Sequence, residues 1–363
     1  MKIGVILGTR PEIIKMAPII RCLEESNDDY FILHTNQHYS DNMDKIFFDE
    51  LELPQAHFNL KIGSGSHGEM TGRMMIALEE VFEKEKPDVV LVEGDTNTVL
   101  AGALVASKMD IKVGHVEAGL RSYDRTMPEE INRIATDHIS DYLFAPTKKQ
   151  EEILLQENIE KEKVHTVGNT IVDAVYQGIK IAERKSKILQ ELDVEKNKYI
   201  LMTSHRPATV DNEGNLRTVM SAVEEIAENG KKKVIFPAHP RTKKMMESFG
   251  IELDNSIKLI EPVGYLDMLV LQKYSHLIVT DSGGIQEESC ILEKKAVVIR
   301  ENTERPEAVE VGGCVLAGNS DKEKIVQNAT DVLGREVSWT NPFGDGKSAE
   351  KIIEIVKKTI NLP

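Results

Sequence analysis

An α/β chain of two domains, each built on a parallel sheet and the sheets facing across a cleft, is predicted by three observations. Short apolar runs alternate with amphipathic stretches through the first half. The rhythm breaks at the charged, non-periodic segment ERKSKILQELDVEKNK, residues 183–198, and then restarts. The length of 363 residues exceeds one ordinary core and suits two of roughly 150–200 residues each.

The strands of the first half are KIGVIL, YFILHT, DVVLVEG, KVGHVEA, YLFAPT and KVHTVG, with helical patterns between them. Apolar runs of this kind, separated by helices, indicate a parallel sheet covered on its faces. The second half repeats the rhythm with YILMTSH, KVIFPAH, IKLIEP, HLIVTDS and AVVIR. The expected domains are residues 1–170 and 171–346. The last helix, SAEKIIEIVKKTINL, follows the turn cluster WTNPFGDG, which lets residues 347–363 cross back to the first domain.

Composition narrows the classes. Hydrophobic residues at 40% and charged residues at 29% are globular usage, and no run approaches the roughly 18 apolar residues of a membrane span. The start MKIGVILGTRPEI passes from one Lys into an apolar strand without a small-residue cleavage site, so no signal peptide is expected and a cytoplasmic location is. Cys22, Cys290 and Cys314 are odd in number and widely spaced, which reads as reduced packing residues rather than a zinc or disulfide framework. A net charge of −15, from 45 basic and 60 acidic residues, weighs against nucleic-acid binding. An anionic ligand would need a local basic pocket.

In open α/β sheets ligands bind beyond the C-terminal strand ends, and the candidate residues fall there. In VTDSGGIQEES, Ser282, Gly283 and Gly284 join a strand to a helix; the glycines admit close approach of a phosphate to the helix start, or form a plain tight turn. Glu288 follows on the next turn, placed to accept from ribose hydroxyls. In GTRPEIIK, Arg10 and Lys15 are either anion contacts or an ordinary helix start with a solvated Lys. Asp95 in VEGDTNTVLAG sits where Asp is a preferred N-cap.

The stretch GHVEAGLRSYDRTMPEEINR is dense in charge. Its Glu117 ends a strand, where packing does not ask for a carboxylate, whereas Glu129 and Glu130 follow Pro128 in a first helical turn that the helix dipole favours anyway. Together Asp95, Glu117 and Glu129 would share one pocket, where mutual repulsion tunes carboxylates for acid and base work. His205 and His239 end strands of the second domain, a position more often structural than catalytic, and Arg305 precedes a helix, either at the site or as a solvated surface residue. GSGSHG matches a dinucleotide-binding glycine pattern but lacks a good strand before it and an acidic partner after it, so it reads as a loop.

Taken together, GTRPEIIKMAP, EGDTNTVLAGALVA, GHVEAGLRS, MPEEINR, DSGGIQEE and ENTERPEAV closely resemble the non-hydrolysing UDP-N-acetylglucosamine 2-epimerases, in order and over almost the whole chain. The resemblance implies two Rossmann-like domains in a glycosyltransferase-B-like arrangement, with UDP-sugar in the cleft. It implies reversible interconversion of UDP-GlcNAc and UDP-ManNAc by elimination and re-addition of UDP through 2-acetamidoglucal, with neither metal nor nicotinamide, in a homodimer. By the same resemblance Asp95, Glu117 and Glu129 transfer protons and stabilise the oxocarbenium ion, with His205 near the diphosphate. Arg10, Lys15, Ser282, Gly283, Gly284 and Arg305 surround the phosphates or active site, and Glu288 takes the ribose. Val263 and Met268 stand in the uracil segment EPVGYLDML, where the family often has a Gln and an aromatic. PATVDN follows Arg206, and Tyr39 stands where bacterial members tend to have Arg; these segments line an activating second site in those members. A hydrolysing epimerase, a glycosyltransferase of the same fold and a non-catalytic UDP-sugar sensor are the competing readings.

Overall fold

The computed structural model describes residues 1–36 and 41–360. The chain divides into one unit of Met1–Gln177 with Phe343–Pro363 and a second of Gly178–Pro342. The first crossing thus falls inside the helix Thr170–Lys185, whereas the sequence pattern put it between residues 170 and 171. The chain rejoins the first unit at Phe343, ahead of the expected 347.

The first unit holds a seven-stranded sheet in the order β3-β2-β1-β4-β5-β6-β7, all pairings parallel. Its strands are β1 Lys2–Leu7, β2 Asp29–His34, β3 Phe58–Asn59, β4 Val89–Glu93, β5 Lys112–Val116, β6 Tyr142–Ala145 and β7 Val164–Thr166. Strands β4 and β6 are buried at every position, which is why, apart from the Glu93 that ends β4, they read as apolar runs. The short β3 comes from the HFNLKI segment that the sequence reading discounted; it is an edge strand paired through only Leu33–Phe58 and His34–Asn59. The glycine segment after it leads to Ser66, which caps the helix His67–Glu85.

The second unit holds six parallel strands in the order β10-β9-β8-β11-β12-β13. They are β8 Tyr199–Thr203, β9 Lys233–Pro237, β10 Ile257–Ile260, β11 Leu277–Thr280, β12 Ala296–Val298 and β13 Cys314–Leu316. Strand β13 escapes the sequence pattern because three residues directly after Gly312 and Gly313 carry no period. Its Cys314 and the neighbouring Cys290 are buried, whereas Cys22 is only half-buried.

Strand order fixes where side chains can gather. In the first unit the order turns at β1 and β4, which leave the sheet centre in opposite directions; in the second it turns at β8 and β11. Loops after these strands diverge and leave a crevice at the C-terminal ends, the usual ligand position of open α/β sheets.

The C-terminal helix Ser348–Ile360 packs on the helix Arg10–Glu25, burying Ile352, Ile353 and Val356. Asp173 satisfies its first turn from outside, accepting from Ser348 N at 3.2 Å and Ala349 N at 3.0 Å. Orphan amides at a helix start are costly when buried, and Asp173 is 2% exposed. Replacing Asp173 with Ala is expected to cost about 1–3 kcal/mol. Denaturant unfolding should show the loss, with the C-terminal helix cleaved first in limited proteolysis; unchanged unfolding and cleavage would mean that apolar packing alone holds the helix.

Candidate functional site

Two residues, Gly8 and Thr9, separate β1 from the helix Arg10–Glu25, whose first turn carries Glu12. The buried Glu12 carboxylate accepts from Gly8 N, from Thr9 N at 3.0 Å and from Thr96 Oγ1 at 2.5 Å, tying the loops after β1 and β4 together. Burial pushes this carboxyl up to about 7 despite those three donors. One turn on, Lys15 faces the sheet rather than solvent. Its Nζ lies 3.0 Å from Glu93 Oε1 at the end of β4 and 2.5 Å from Glu117 Oε2 just past β5. Asn169 Nδ2 donates to Glu117 Oε1 at 3.1 Å. The Lys that the sequence alone would leave in solvent is therefore a half-buried bridge between two carboxylates.

Glu117 has φ +69, a left-handed conformation that side chains rarely adopt and that persists where surrounding bonds over-determine it. The constraint is visible. Gly119, at φ +84, donates to Asp137 Oδ2 at 3.2 Å, and a Cβ there would lie 2.6 Å from the Gln150 carbonyl oxygen. Asp137 is fully buried between His115 Nδ1 and Arg121 Nη1, each at 2.7 Å, and Arg121 continues to Glu157 at 2.6 Å. Burial raises the Asp137 carboxyl, but the pull of His115 and Arg121 outweighs it and holds the group below its ordinary range. The dense charge of this stretch is thus largely a clamp that fixes the loop carrying Glu117.

Asp95 is not the helix cap. Thr96 takes that place, its hydroxyl accepting from Thr98 N at 3.2 Å, because the helix Asn97–Lys108 begins one residue later than an Asp95 cap requires. The Asp95 carboxylate instead pairs with Arg133, and Asn132 Nδ2 donates to the Asp95 carbonyl at 2.9 Å. Arg133 also meets Glu130 at 3.1 Å; Glu130 is buried and accepts from Ser122 N and Tyr123 N at 2.9 and 3.0 Å. Glu129 is half-buried in the first turn of the helix Pro128–Ile139, and among the described residues it has no ion-pair partner. Arg10 is exposed, its guanidinium 5.4 Å from the Phe47 ring centre. Tyr39 lies outside the described residues.

At the reversal point of the second unit, Asp281 follows β11 and is fully buried. It accepts from His205 N at 3.0 Å, Arg206 N at 2.9 Å and Ser204 Oγ at 2.9 Å, and faces His205 Nδ1 at 3.2 Å. Burial raises the Asp281 carboxyl, but contacts from His205, Arg206 and Ser204 prevail and keep it low, so it stays ionised. The His205 side chain is 49% exposed, so a buried anion orients an imidazole whose other nitrogen points away from that anion.

His205, His239, Pro262, Val263, Met268 and Ser282 line one pocket of about 250 Å³ within this unit. His239 caps the helix Pro240–Ser248, its Nδ1 accepting from Arg241 N at 3.2 Å, a structural role. Ser282 caps the helix Gly283–Ile291. Gly283 and Gly284 have negative φ, and an added Cβ would meet nothing closer than 3.9 Å, so the turn itself does not require glycine. Open space above helix-start amides suits an anion at close range. Further along this helix, Glu288 is buried with Oε2 2.5 Å from Gln272 Nε2, and burial pushes it up to about 7. Arg305 is no solvated surface residue: its Nε lies 3.0 Å from the buried Glu287.

Sequence reasoning passed over Glu12, Glu93, Asp137 and Asp281. The available signal was the strand end: VVLVE and LIVTD each close an apolar run with a carboxylate at or next to the last strand residue.

A change at Glu288 has a signed consequence. Its folded carboxyl titrates near about 7 against 4.5 for an ordinary Glu. Between these values the unfolded chain has lost the proton that the folded chain keeps, so this group's contribution to stability falls as pH rises and levels off above about 7. Glu288→Gln cannot ionise, so its stability relative to the parent should improve steadily between about pH 5 and about pH 7. Denaturant midpoints across that range provide the check, and a pH-independent difference would contradict the assignment.

The family model described as UDP-N-acetylglucosamine 2-epimerase matches residues 21–357. The chain is 56% identical over 362 residues to the UDP-N-acetylglucosamine 2-epimerase of Methanocaldococcus jannaschii, covering 98% of this chain and 99% of that one. It is 56% identical over 361 residues to the enzyme of the same name from Methanococcus maripaludis, covering 98% of each. A crystal structure of the M. jannaschii UDP-GlcNAc 2-epimerase in complex with UDP-GlcNAc and UDP matches with a TM-score of 0.85, over 99% of this chain and 100% of that one. Among the described residues no helix is long and apolar enough to cross a membrane.

Proposed function

The chain belongs to the UDP-N-acetylglucosamine 2-epimerase family, and we propose that this isomerase reversibly inverts C2 of UDP-N-acetylglucosamine to give UDP-N-acetylmannosamine. The observation that carries the reading is the buried set of carboxylates around Lys15 at the reversal point of the first sheet. It is supported by the UDP-GlcNAc and UDP bound in the M. jannaschii relative.

The C2–H of the sugar has no carbonyl next to it and is not acidic, so direct deprotonation does not suffice. Elimination solves this: a carboxylate takes the C2 proton while the C1–O bond breaks, leaving 2-acetamidoglucal and UDP. Re-addition of UDP to C1 with a proton delivered to the other face of C2 completes the inversion. The sequence is redox-neutral and consumes no water. It needs acid/base groups on both faces of C2 and stabilisation of the departing diphosphate. Asp95, Glu117 and Glu129 supply the former. His205, Arg10, Arg305 and the amides after Ser282 supply the latter, with Lys15 holding Glu117 in place. Glu288 receives the ribose hydroxyls, and the pocket of Val263 and Met268 takes the uracil. The reading includes the homodimer that the resemblance implies.

Incubation with UDP-GlcNAc alone, followed by separation of the sugars, should give UDP-ManNAc and UDP-GlcNAc at equilibrium; free ManNAc with UDP would replace the reading with a hydrolysing one. Glu117→Gln and Asp95→Asn should each lower kcat by about 10²–10⁴ with nucleotide affinity little changed. Near-normal turnover in both would return them to the clamp and ion-pair roles seen in the fold.

A further inference from the structure

The second unit holds a cavity that the proposed epimerisation does not use. Helices Glu213–Gly230 and Lys322–Gly334 pack against each other, and together with the start of β8 they line a pocket of about 220 Å³. Ile200, Ile226, Val326, Ala329 and Leu333 make it apolar. Lys232 and His276, both half-buried, line it as well. Strand β8 runs from this end at Tyr199 to Thr203, so the pocket lies at the opposite end of the sheet from His205.

Strand order explains why bases collect here. Lys232 immediately precedes β9, His276 precedes β11 and Lys295 precedes β12, and β9, β8, β11 and β12 are consecutive neighbours in the sheet. With neighbouring strands about 4.8 Å apart, these residues stand along one edge. Lys294 joins them, donating to Asn197 Oδ1 at 3.2 Å and to the Ser275 carbonyl at 3.3 Å, while Lys232 donates to the Asn197 carbonyl at 3.3 Å. Lys295 has a structural use, donating to the carbonyls of Leu333, at 2.8 Å, and Arg335 where the helix Lys322–Gly334 ends.

All of these acceptors are neutral. Among the described residues none of the three lysines has an ion-pair partner, in a chain whose net charge is −15. Burial lowers the His276 imidazole, and Lys232, Lys295 and Lys294 lower it further, so near neutral pH it is uncharged and carries one N–H donor. No hydrogen bond joins that imidazole to another described residue. Grouped ammonium charges without a counter-charge make a positive potential that draws an anion, and here it stands beside an apolar hollow.

We propose that this pocket is a second binding site, for a small monocarboxylate with an apolar tail. The tail lies between the two helices, and the carboxylate meets the Lys232 ammonium and the His276 N–H. A monoanion matches because Lys232 is the one lysine that lines the pocket, whereas Lys294 and Lys295 act on it through their field. An apolar cavity of about 150 Å³ holds benzene, so a six-carbon chain is of the right scale for this one.

Hexanoate is the probe. In NMR spectra of the full chain it should shift the His276 ring signals, assigned by their loss in His276→Gln, with a Kd of about 1 mM. Hexan-1-ol keeps the tail without the charge and acetate the charge without the tail; each should bind at least about tenfold more weakly. Lys232→Met should weaken hexanoate by about fivefold or more and leave hexan-1-ol unchanged. Thr330→Phe, at an exposed position of the lining, should block both. Equal affinity for hexanoate and hexan-1-ol would overturn the proposal, as would hexanoate affinity unaltered in Lys232→Met. Shifts confined to other histidines, or none at all, would overturn it too. Should Lys232→Met fail to fold, the comparison with hexan-1-ol and the Thr330→Phe block decide the matter.

Discussion

The ammonium of Lys15 is what lets Glu93 and Glu117 lie buried at neighbouring strand ends. Desolvating a carboxylate costs several kcal/mol, and an unpartnered pair would be expelled or neutralised. Because Lys15 sits one turn into the helix after β1, meeting this demand also sets how that helix lies on the sheet. Glu12 repeats the logic one turn earlier by fastening the loops after β1 and β4. The reversal point of the first unit is therefore defined by ionic and hydrogen-bond satisfaction laid over an apolar sheet.

The second unit solves a different problem with the same topology. Asp281 at its reversal point is buried and supplied with donors, and it presents a half-exposed His205. Beside it lies an apolar pocket, with a capped helix start whose glycines leave open the space that side chains would fill. One unit concentrates buried carboxylates suited to moving protons; the other offers a hydrophobic seat and anion-favouring amides suited to holding a nucleotide. The chemistry lies in the loops, and the sheets supply only the placement.

How much of this was legible follows from which residues carry a local signal. Strands buried on both faces announce themselves as apolar runs, so the two parallel sheets follow from KIGVIL, DVVLVEG, HLIVTDS and their counterparts. The two-residue β3 and three-residue β13 are too short to show a period, and neighbouring strands decide them. Strand ends were the right place to look for charge, but partners were invisible. Asp95 and Thr96 are both good caps, and only the backbone shows which one is used. Glu93, Asp137 and Lys15 look like solvated charges in sequence, because their partners lie 16 to 102 positions away along the chain. Arg305 reads either way in sequence for the same reason, since Glu287 reaches it only through the fold.

In the proposed reaction the carboxylates of the first unit exchange the hydrogen at C2. Turnover of UDP-GlcNAc in deuterated water, followed by proton NMR of both epimers, tests it most directly. Deuterium should stand at C2 in UDP-ManNAc from the first turnover, and in recovered UDP-GlcNAc as the reaction reverses. Formation of UDP-ManNAc with the original hydrogen still at C2 would contradict it.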